Sequence, residues 1–247
     1  MKRLLCITAH PDDEAGAFGG ALLHYHDQGA KTGVICLTPG QAATNRGHAT
    51  SDEHLSEIRR AEFDQAAKLL KLDYAEVLNY QDGKLDRTDF NAVVDDLVLR
   101  IRDFRPQVIL TLGGEGAITG HPDHTMAGLF ATAAFHWAGR ADRFKHQLTH
   151  GRKPYRPQKL YYATWLFTIP GRPPISLSPA SSRLDIRPYL ETKLAAFKIH
   201  TSQNALYPGF EEMTRKRGHR EMYHLVATTR PKRASVERDL FVGVVED

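Results

Sequence analysis

The chain has 247 residues, 41% of them hydrophobic and 25% charged, with a formal net charge of +4 and two cysteines. This balance excludes a disordered or fibrous chain and suits one globular domain over residues 1–247, large enough to bury a core without disulfide staples. No apolar stretch approaches the roughly 20 residues of a membrane span, the run behind Met1-Lys-Arg is too short for a secretory leader, and two cysteines make no disulfide framework, so a soluble cytoplasmic protein is expected.

In chain order, the apolar run 4–7 (Leu-Leu-Cys-Ile) predicts a short buried strand. A helix over 15–28 follows, stopped by Gly29, and then a strand over 32–37. Cys6 and Cys36 both fall in strand runs, where a reduced thiol behaves as a small hydrophobe. Residues 38–52 are too polar and glycine-rich to pack. Leu55, Ile58, Phe63, Ala66, Ala67 and Leu70 then recur at helical spacing, with Ser51 or Asp52 to cap the start. A strand over 75–78, a helix over 90–104 with Val93, Leu97 and Ile101 inward, and a strand over 108–112 complete the first half. Strands alternating with helices and joined by right-handed crossovers predict an α/β fold with a parallel sheet covered on both faces. The second half is less regular: a helix over 124–138, a strand over 159–167, a Pro- and Ser-rich loop over 170–182, a helix over 187–200 and a last strand over 222–227. No internal repeat or low-complexity tract interrupts it.

Basic residues gather near the C-terminus: Arg215-Lys-Arg217, Arg220, Arg230, Lys232 and Arg233. No nucleic-acid motif accompanies them, and such runs are usually solvated faces, so neither nucleic acid nor membrane is expected as a partner. Oligomeric state is not legible, and a homo-oligomer stays open.

Two segments concentrate the chemistry. Ala9-His-Pro-Asp-Asp-Glu14 follows the first strand, and Gly120-His-Pro-Asp-His124 follows the strand over 108–112 by a glycine-rich loop. Two strand ends carrying His and Asp can meet on one rim of a parallel sheet, where open α/β folds place ligands. A catalytic zinc keeps three protein ligands and an open position for water, and His10, Asp13 and His124 are the natural three. Asp12, next to Asp13, is placed to act as base, and His121 to meet charge on the attacked oxygen or to protonate the leaving group. Asp123 either orients a ligating histidine from behind or caps the helix that starts near His124. The bland alternatives are a strand-end histidine at His10 and a helix N-cap at Asp12 or Asp13. They leave the second acid and the second His-rich segment unexplained.

The pair A-H-P-D-D-E and G-H-P-D-H, in this order and roughly a hundred residues apart, resembles the LmbE-like or PIG-L deacetylases. That resemblance implies a Rossmann-like three-layer α/β/α sandwich with a mostly parallel sheet and one catalytic zinc, with Fe(II) as the competing metal. It implies His10, Asp13 and His124 as zinc ligands, Asp12 as general base and His121 at the tetrahedral intermediate. The implied reaction is removal of an N-acetyl or short N-acyl group from a small-molecule N-acyl amino sugar or its conjugate. Arg59-x-x-Glu62-Phe63 is similar to a family helix start whose arginine reaches sugar hydroxyls, and Asp82-Gly83 to a turn whose acid binds them, so Arg59 and Asp82 are expected at the substrate. The bland readings there are a helix arginine paired with Glu62 or Asp64 and an ordinary Asp-Gly turn. Lys193, His200, Ser202 and Gln203 resemble a late family stretch, with His200 alternatively capping a helix C-terminus. Thr119 stands where some members carry a tyrosine. Rival functions are a metal-dependent amidase on a thiol or glycoside conjugate, a hydratase-like branch of the same fold, and a non-catalytic metal- or nucleic-acid-binding protein.

Overall fold

A computed structural model of the chain describes residues 1–149, 151–169, 171, 173–231 and 236–246. Seven strands form one sheet in the order β3-β2-β1-β4-β5-β7-β6. Five run parallel to one another: β1 (Arg3–Thr8), β2 (Lys31–Cys36), β3 (Tyr74–Val77), β4 (Val108–Thr111) and β5 (Lys159–Thr164). Their side chains explain the position. Leu4, Leu5, Cys6, Ile7, Val34 and Ile35 are fully buried, as strands covered on both faces require. Helices α1 (Asp13–Asp27), α2 (Asp52–Leu69), α3 (Phe90–Phe104) and α4 (Pro122–Trp137) supply the crossovers, with α3 and α4 packed together. On the other face α5 (Leu190–Ile199) packs against α1 and α2. The result is the three-layer, mostly parallel α/β sandwich.

Local chemistry sets several boundaries. Ser51 caps α2 by accepting the amide hydrogen of His54 at 3.1 Å, and Asp89 caps α3 through the amides of Asn91 and Ala92. Cys6 and Cys36 are buried free thiols on the adjacent strands β1 and β2, and no disulfide joins them.

The second half departs from expectation at its edge. β6 (Ser182–Asp185) and β7 (Arg220–Thr228) pair antiparallel with each other, and β7 runs antiparallel to β5. The strand expected over 159–167 stops at Thr164, and the helix expected over 187–200 begins with a 3-10 turn, Arg187–Tyr189. A helix that the sequence reading missed, α6 (Tyr207–Arg217), buries only Thr214, so it carries no apolar stripe to announce it. Its basic residues face acids: Arg215 bonds Glu191 and Glu211 at 2.6 and 3.0 Å, and Lys216 bonds Glu212 at 2.6 Å. Lys232 and Arg233, expected in the same basic cluster, lie outside the described residues, as do Pro170 and Arg172 of the expected loop 170–182. Among the described residues no helix is long and apolar enough to cross a membrane.

Candidate active site

Strand order reverses between β1 and β4, which lie side by side with Ile7 opposite Thr111. The segments that leave these two strand ends therefore meet. The rings of His10 and His121 stand 4.9 Å apart, His10 and His124 5.3 Å, and His121 and His124 5.1 Å, measured between centroids. Nitrogens of all three histidines lie within 4.8 Å of one another. Pro122 opens α4 behind His121, whose Nδ1 accepts the amide hydrogen of Asp123 at 3.1 Å. The N-cap of α4 is thus His121, and Asp123 is free to serve elsewhere.

Asp13, the first residue of α1, turns its carboxylate back onto the end of β1. Oδ2 accepts amide hydrogens from Ala9 and His10 at 3.1 and 2.9 Å, which leaves Oδ1 at 3.2 Å from Nε2 of His124. His10 is held from its far side: Nε2 donates to Asp82 Oδ1 at 2.9 Å and to Asp123 Oδ2 at 3.3 Å, so Nδ1 is the nitrogen that faces Asp13, at 3.9 Å from Oδ2. His124 is fixed the same way by Thr119. The Thr119 hydroxyl donates to the carbonyl of Gly116 at 3.3 Å and accepts from Nδ1 of His124 at 3.2 Å, which turns Nε2 toward Asp13. Each imidazole thus presents one nitrogen to a shared carboxylate while a backing oxygen holds the other, the arrangement that ligating histidines use. Donors at about 2.0–2.2 Å from a tetrahedral ion stand about 3.4 Å apart. His124 meets Oδ1 of Asp13 and His10 meets Oδ2, and among the described residues the donor groups that close within 4.8 Å are His10, His121 and His124, and His10, Asp82 and Asp123.

The charges agree with this reading of the shell. Burial opposes a proton on His10, but hydrogen bonds to Asp123 and Asp82 outweigh it and push the imidazole up to about 10 in the metal-free chain. Burial likewise works against ionised Asp13, yet the charge and hydrogen bond of His124 hold its carboxyl below the usual range. Asp82 and Asp123 are also held low, against their burial, by the His10 bond.

Asp12 behaves differently. Its backbone sits at φ 116°, ψ −26°, a region a non-glycine residue rarely adopts, and its side chain makes no cap bond to α1. Oδ2 instead meets the Arg59 guanidinium at 3.1 Å. Arg59 also bonds the carbonyls of Pro11 and, at 3.1 Å, Gly40. Burial pushes the Asp12 carboxyl up to about 6, with Arg59 opposing the rise.

The structure therefore brings His10, Asp12, Asp13, His121, Asp123 and His124 to one rim, with Asp82 and Arg59 beneath it. Arg59 is 3% exposed and Asp82 6%, Asp82 also accepting the amide of Ala42 at 2.9 Å. Arg59 pairs with Asp12 rather than with Glu62 or Asp64. Burial and the surrounding imidazoles hold His121 below its ordinary pKa, so it is neutral, and with Nδ1 taken by a main-chain amide its hydrogen is on Nε2. Three contributors were not singled out by sequence reading. Thr119 entered only as an absent tyrosine, Glu14 only as a further acid, and Glu62, which receives Ser202 and Thr201, only as the neighbour of Arg59.

The chain has relatives among known proteins. The PIG-L family, described as GlcNAc-PI de-N-acetylase, matches residues 5–135, more than half of the chain and inclusive of both motifs. A mycothiol S-conjugate amidase of Streptomyces coelicolor is 31% identical over 65% of this chain and 60% of its own length. A diacetylchitobiose deacetylase of Thermococcus kodakarensis is 29% identical over 82% of this chain and 70% of its own. Among solved structures, an N,N'-diacetylchitobiose deacetylase from Pyrococcus horikoshii superposes with a TM-score of 0.76 at 23% identity, over 91% of this chain and 84% of that one, and so shares the fold. The chain belongs to the PIG-L family.

Proposed function

We propose that the protein is a zinc-dependent hydrolase that removes an N-acetyl or other short N-acyl group from an N-acylated amino sugar or its conjugate, releasing a free amine and a carboxylic acid. The observation that supports the reading is that His10 and His124 each turn a nitrogen toward Asp13, while on the same rim Asp12 pairs with Arg59 and His121 caps α4. A storage site has no use for the second pair. The substrate class rests on the family description and on the diacetylchitobiose deacetylase among the relatives.

In this proposal His10, Asp13 and His124 hold zinc, with Fe(II) acceptable to the same N/O donors. When bound, the ion supplies a Lewis acid that polarises the acyl oxygen and acidifies water. Asp12, poised at about 6, takes the proton of the attacking water. His121, neutral and carrying its hydrogen on Nε2, donates to the oxygen that gains charge as the acyl carbon becomes tetrahedral. The proton on Asp12 then passes to the departing nitrogen, and the C–N bond breaks. Asp123 and Asp82 orient His10, and Arg59 sets the Asp12 carboxylate. Arg59 and Asp82, expected to touch sugar hydroxyls, act mainly from beneath the substrate because so little of either is exposed. Free thiols on adjacent strands suit the reducing cytoplasm.

A second reading, an amidase on a thiol conjugate, is favoured by the Streptomyces coelicolor relative. One assay separates the two: release of free amine from a panel of N-acyl hexosamines and from thiol-conjugate amides, with zinc-loaded protein. Preferential hydrolysis of the hexosamines is expected. Amine from the conjugates alone selects the amidase, and no amine from any N-acyl substrate sinks both.

A further inference from the structure

The left-handed backbone of Asp12 is held from three directions. Its carbonyl accepts the amide hydrogen of Gly16 at 2.8 Å, its carboxylate meets Arg59 at 3.1 Å, and its own N–H donates to Glu14 Oε2 at 2.9 Å. A non-glycine residue keeps such a conformation only where its surroundings over-determine it. The third hold reaches furthest through the fold. Glu14 is fully buried, and its other oxygen, Oε1, lies 2.6 Å from Nε2 of His200, which is equally buried and 186 residues downstream. A carboxylate with no exposure needs a partner, and His200 is that partner.

His200 ends α5, and the next two residues are pinned to α2. Thr201 Oγ1 donates to Glu62 Oε1 at 2.7 Å, the Ser202 amide to the same oxygen at 2.7 Å, and Ser202 Oγ to Glu62 Oε2 at 2.6 Å. Glu62 sits one helical turn after Arg59 on α2. The two grips on Asp12, Arg59 on its carboxylate and Glu14–His200 on its N–H, are therefore parts of one packed unit. Asp13 is committed as the first residue of α1, so the turn at Asp12 decides where the neighbouring carboxylate stands.

We infer that Glu14 and His200 are a positioning pair for Asp12, fixing the left-handed turn that lets two adjacent carboxylates serve one site in different roles. The catalytic consequence rests on Asp12 as the base, whereas the conformational one does not. The test uses full-length, zinc-loaded protein carrying Glu14→Ala, Glu14→Gln or His200→Leu. Zinc content, kcat and KM are measured separately, and crystal structures are determined. Glu14→Ala and His200→Leu are expected to keep zinc at wild-type stoichiometry and release Asp12 from positive φ. With the carboxylate misplaced, kcat falls about 10- to 100-fold while KM changes by less than about threefold. Glu14→Gln, whose amide oxygen can still accept the Asp12 N–H, restores both φ and most of kcat. A merely structural role would lower stability without splitting kcat from KM. If Glu14→Ala does not fold, His200→Leu carries the test from the other end of the pair. Asp12 at unchanged φ in the variants, or wild-type kcat in an active background, overturns the inference. Failure of the wild type to release amine overturns the proposed function instead, and the backbone conformation still decides the positioning pair.

Discussion

Asp12 and Asp13 are adjacent in the chain, yet burial pushes the first up to about 6 while His124 outweighs burial to hold the second low. Neighbouring carboxylates whose environments part their pKa values divide acid–base work from ligation. Asp12→Ala is therefore expected to retain metal while kcat falls about 10²- to 10⁴-fold, the usual worth of a positioned base. Asp13→Ala is expected to lose the metal, because its carboxylate is the group both imidazoles face. Metal analysis beside the amine-release assay checks both, and a metal-loaded Asp12→Ala with full activity removes Asp12 from the reaction. Thr119→Val probes the shell behind the donors. Without the hydroxyl 3.2 Å from His124 Nδ1, the ring loses its orientation, and metal affinity is expected to fall about 10- to 100-fold in a competitive chelator titration. Wild-type affinity would show that the packing alone orients His124. The meeting of His10, Asp13 and His124 was legible because the spacing inside each motif is local and both motifs sit at strand ends. The Thr119 bond and the Glu14–His200 pair were not, since hydroxyl direction and a contact across 186 residues leave no periodic trace.

At the scale of elements, α4 carries His121 and His124 at its first turn, and its distance from the sheet places both. Gly128 fixes that distance, because a Cβ there would overlap the carbonyl oxygen of Leu112, just past the end of β4. Gly128→Ala must push the helix away from the strand that feeds the second motif. Overpacking of this kind costs about 1–3 kcal/mol. The expected outcome is a lower melting temperature together with weaker metal binding, and a variant that loses stability while keeping wild-type affinity would show that the first turn of α4 moves independently. The parallel core of the sheet could be read in advance because short apolar runs alternate with helical periodicity from β1 to β4. The C-terminal edge could not. Ser-Arg-Leu-Asp in β6 has four residues and two polar ends, and α6 buries too little to show a stripe, so both are defined by neighbours distant in sequence.

Over the whole molecule, stability depends on charges buried in pairs. His200 is raised above its ordinary pKa because Glu14 outweighs the penalty of burial. The stability from its charge is fully present below about pH 6.5, the value of an unfolded histidine, and is lost as pH rises through the elevated folded value. Urea unfolding of wild type and His200→Leu should therefore differ most near pH 6 and least in alkali. An equal gap at both ends would mean that His200 contributes packing alone. Glu237 makes another such pair, at the far edge of the sheet beside β6. It receives Lys159 at 3.0 and 3.1 Å and the Tyr161 hydroxyl, and its main chain exchanges hydrogen bonds with Ser181 and Arg183 beside β6. Lys159 pairs with Val108 at the start of β4, whereas the site lies beyond the other end of that strand at Thr111. Glu237→Ala breaks a buried ion pair by removing the carboxylate that Lys159 and Tyr161 share, which costs about 3–5 kcal/mol. Because β5, β7 and β6 separate Glu237 from the strands that feed His10 and His124, unfolding in urea should shift to much lower concentration while each folded molecule binds metal as the wild type does. A weakened metal site in the folded variant would mean that the β6 edge of the sheet is coupled to its centre.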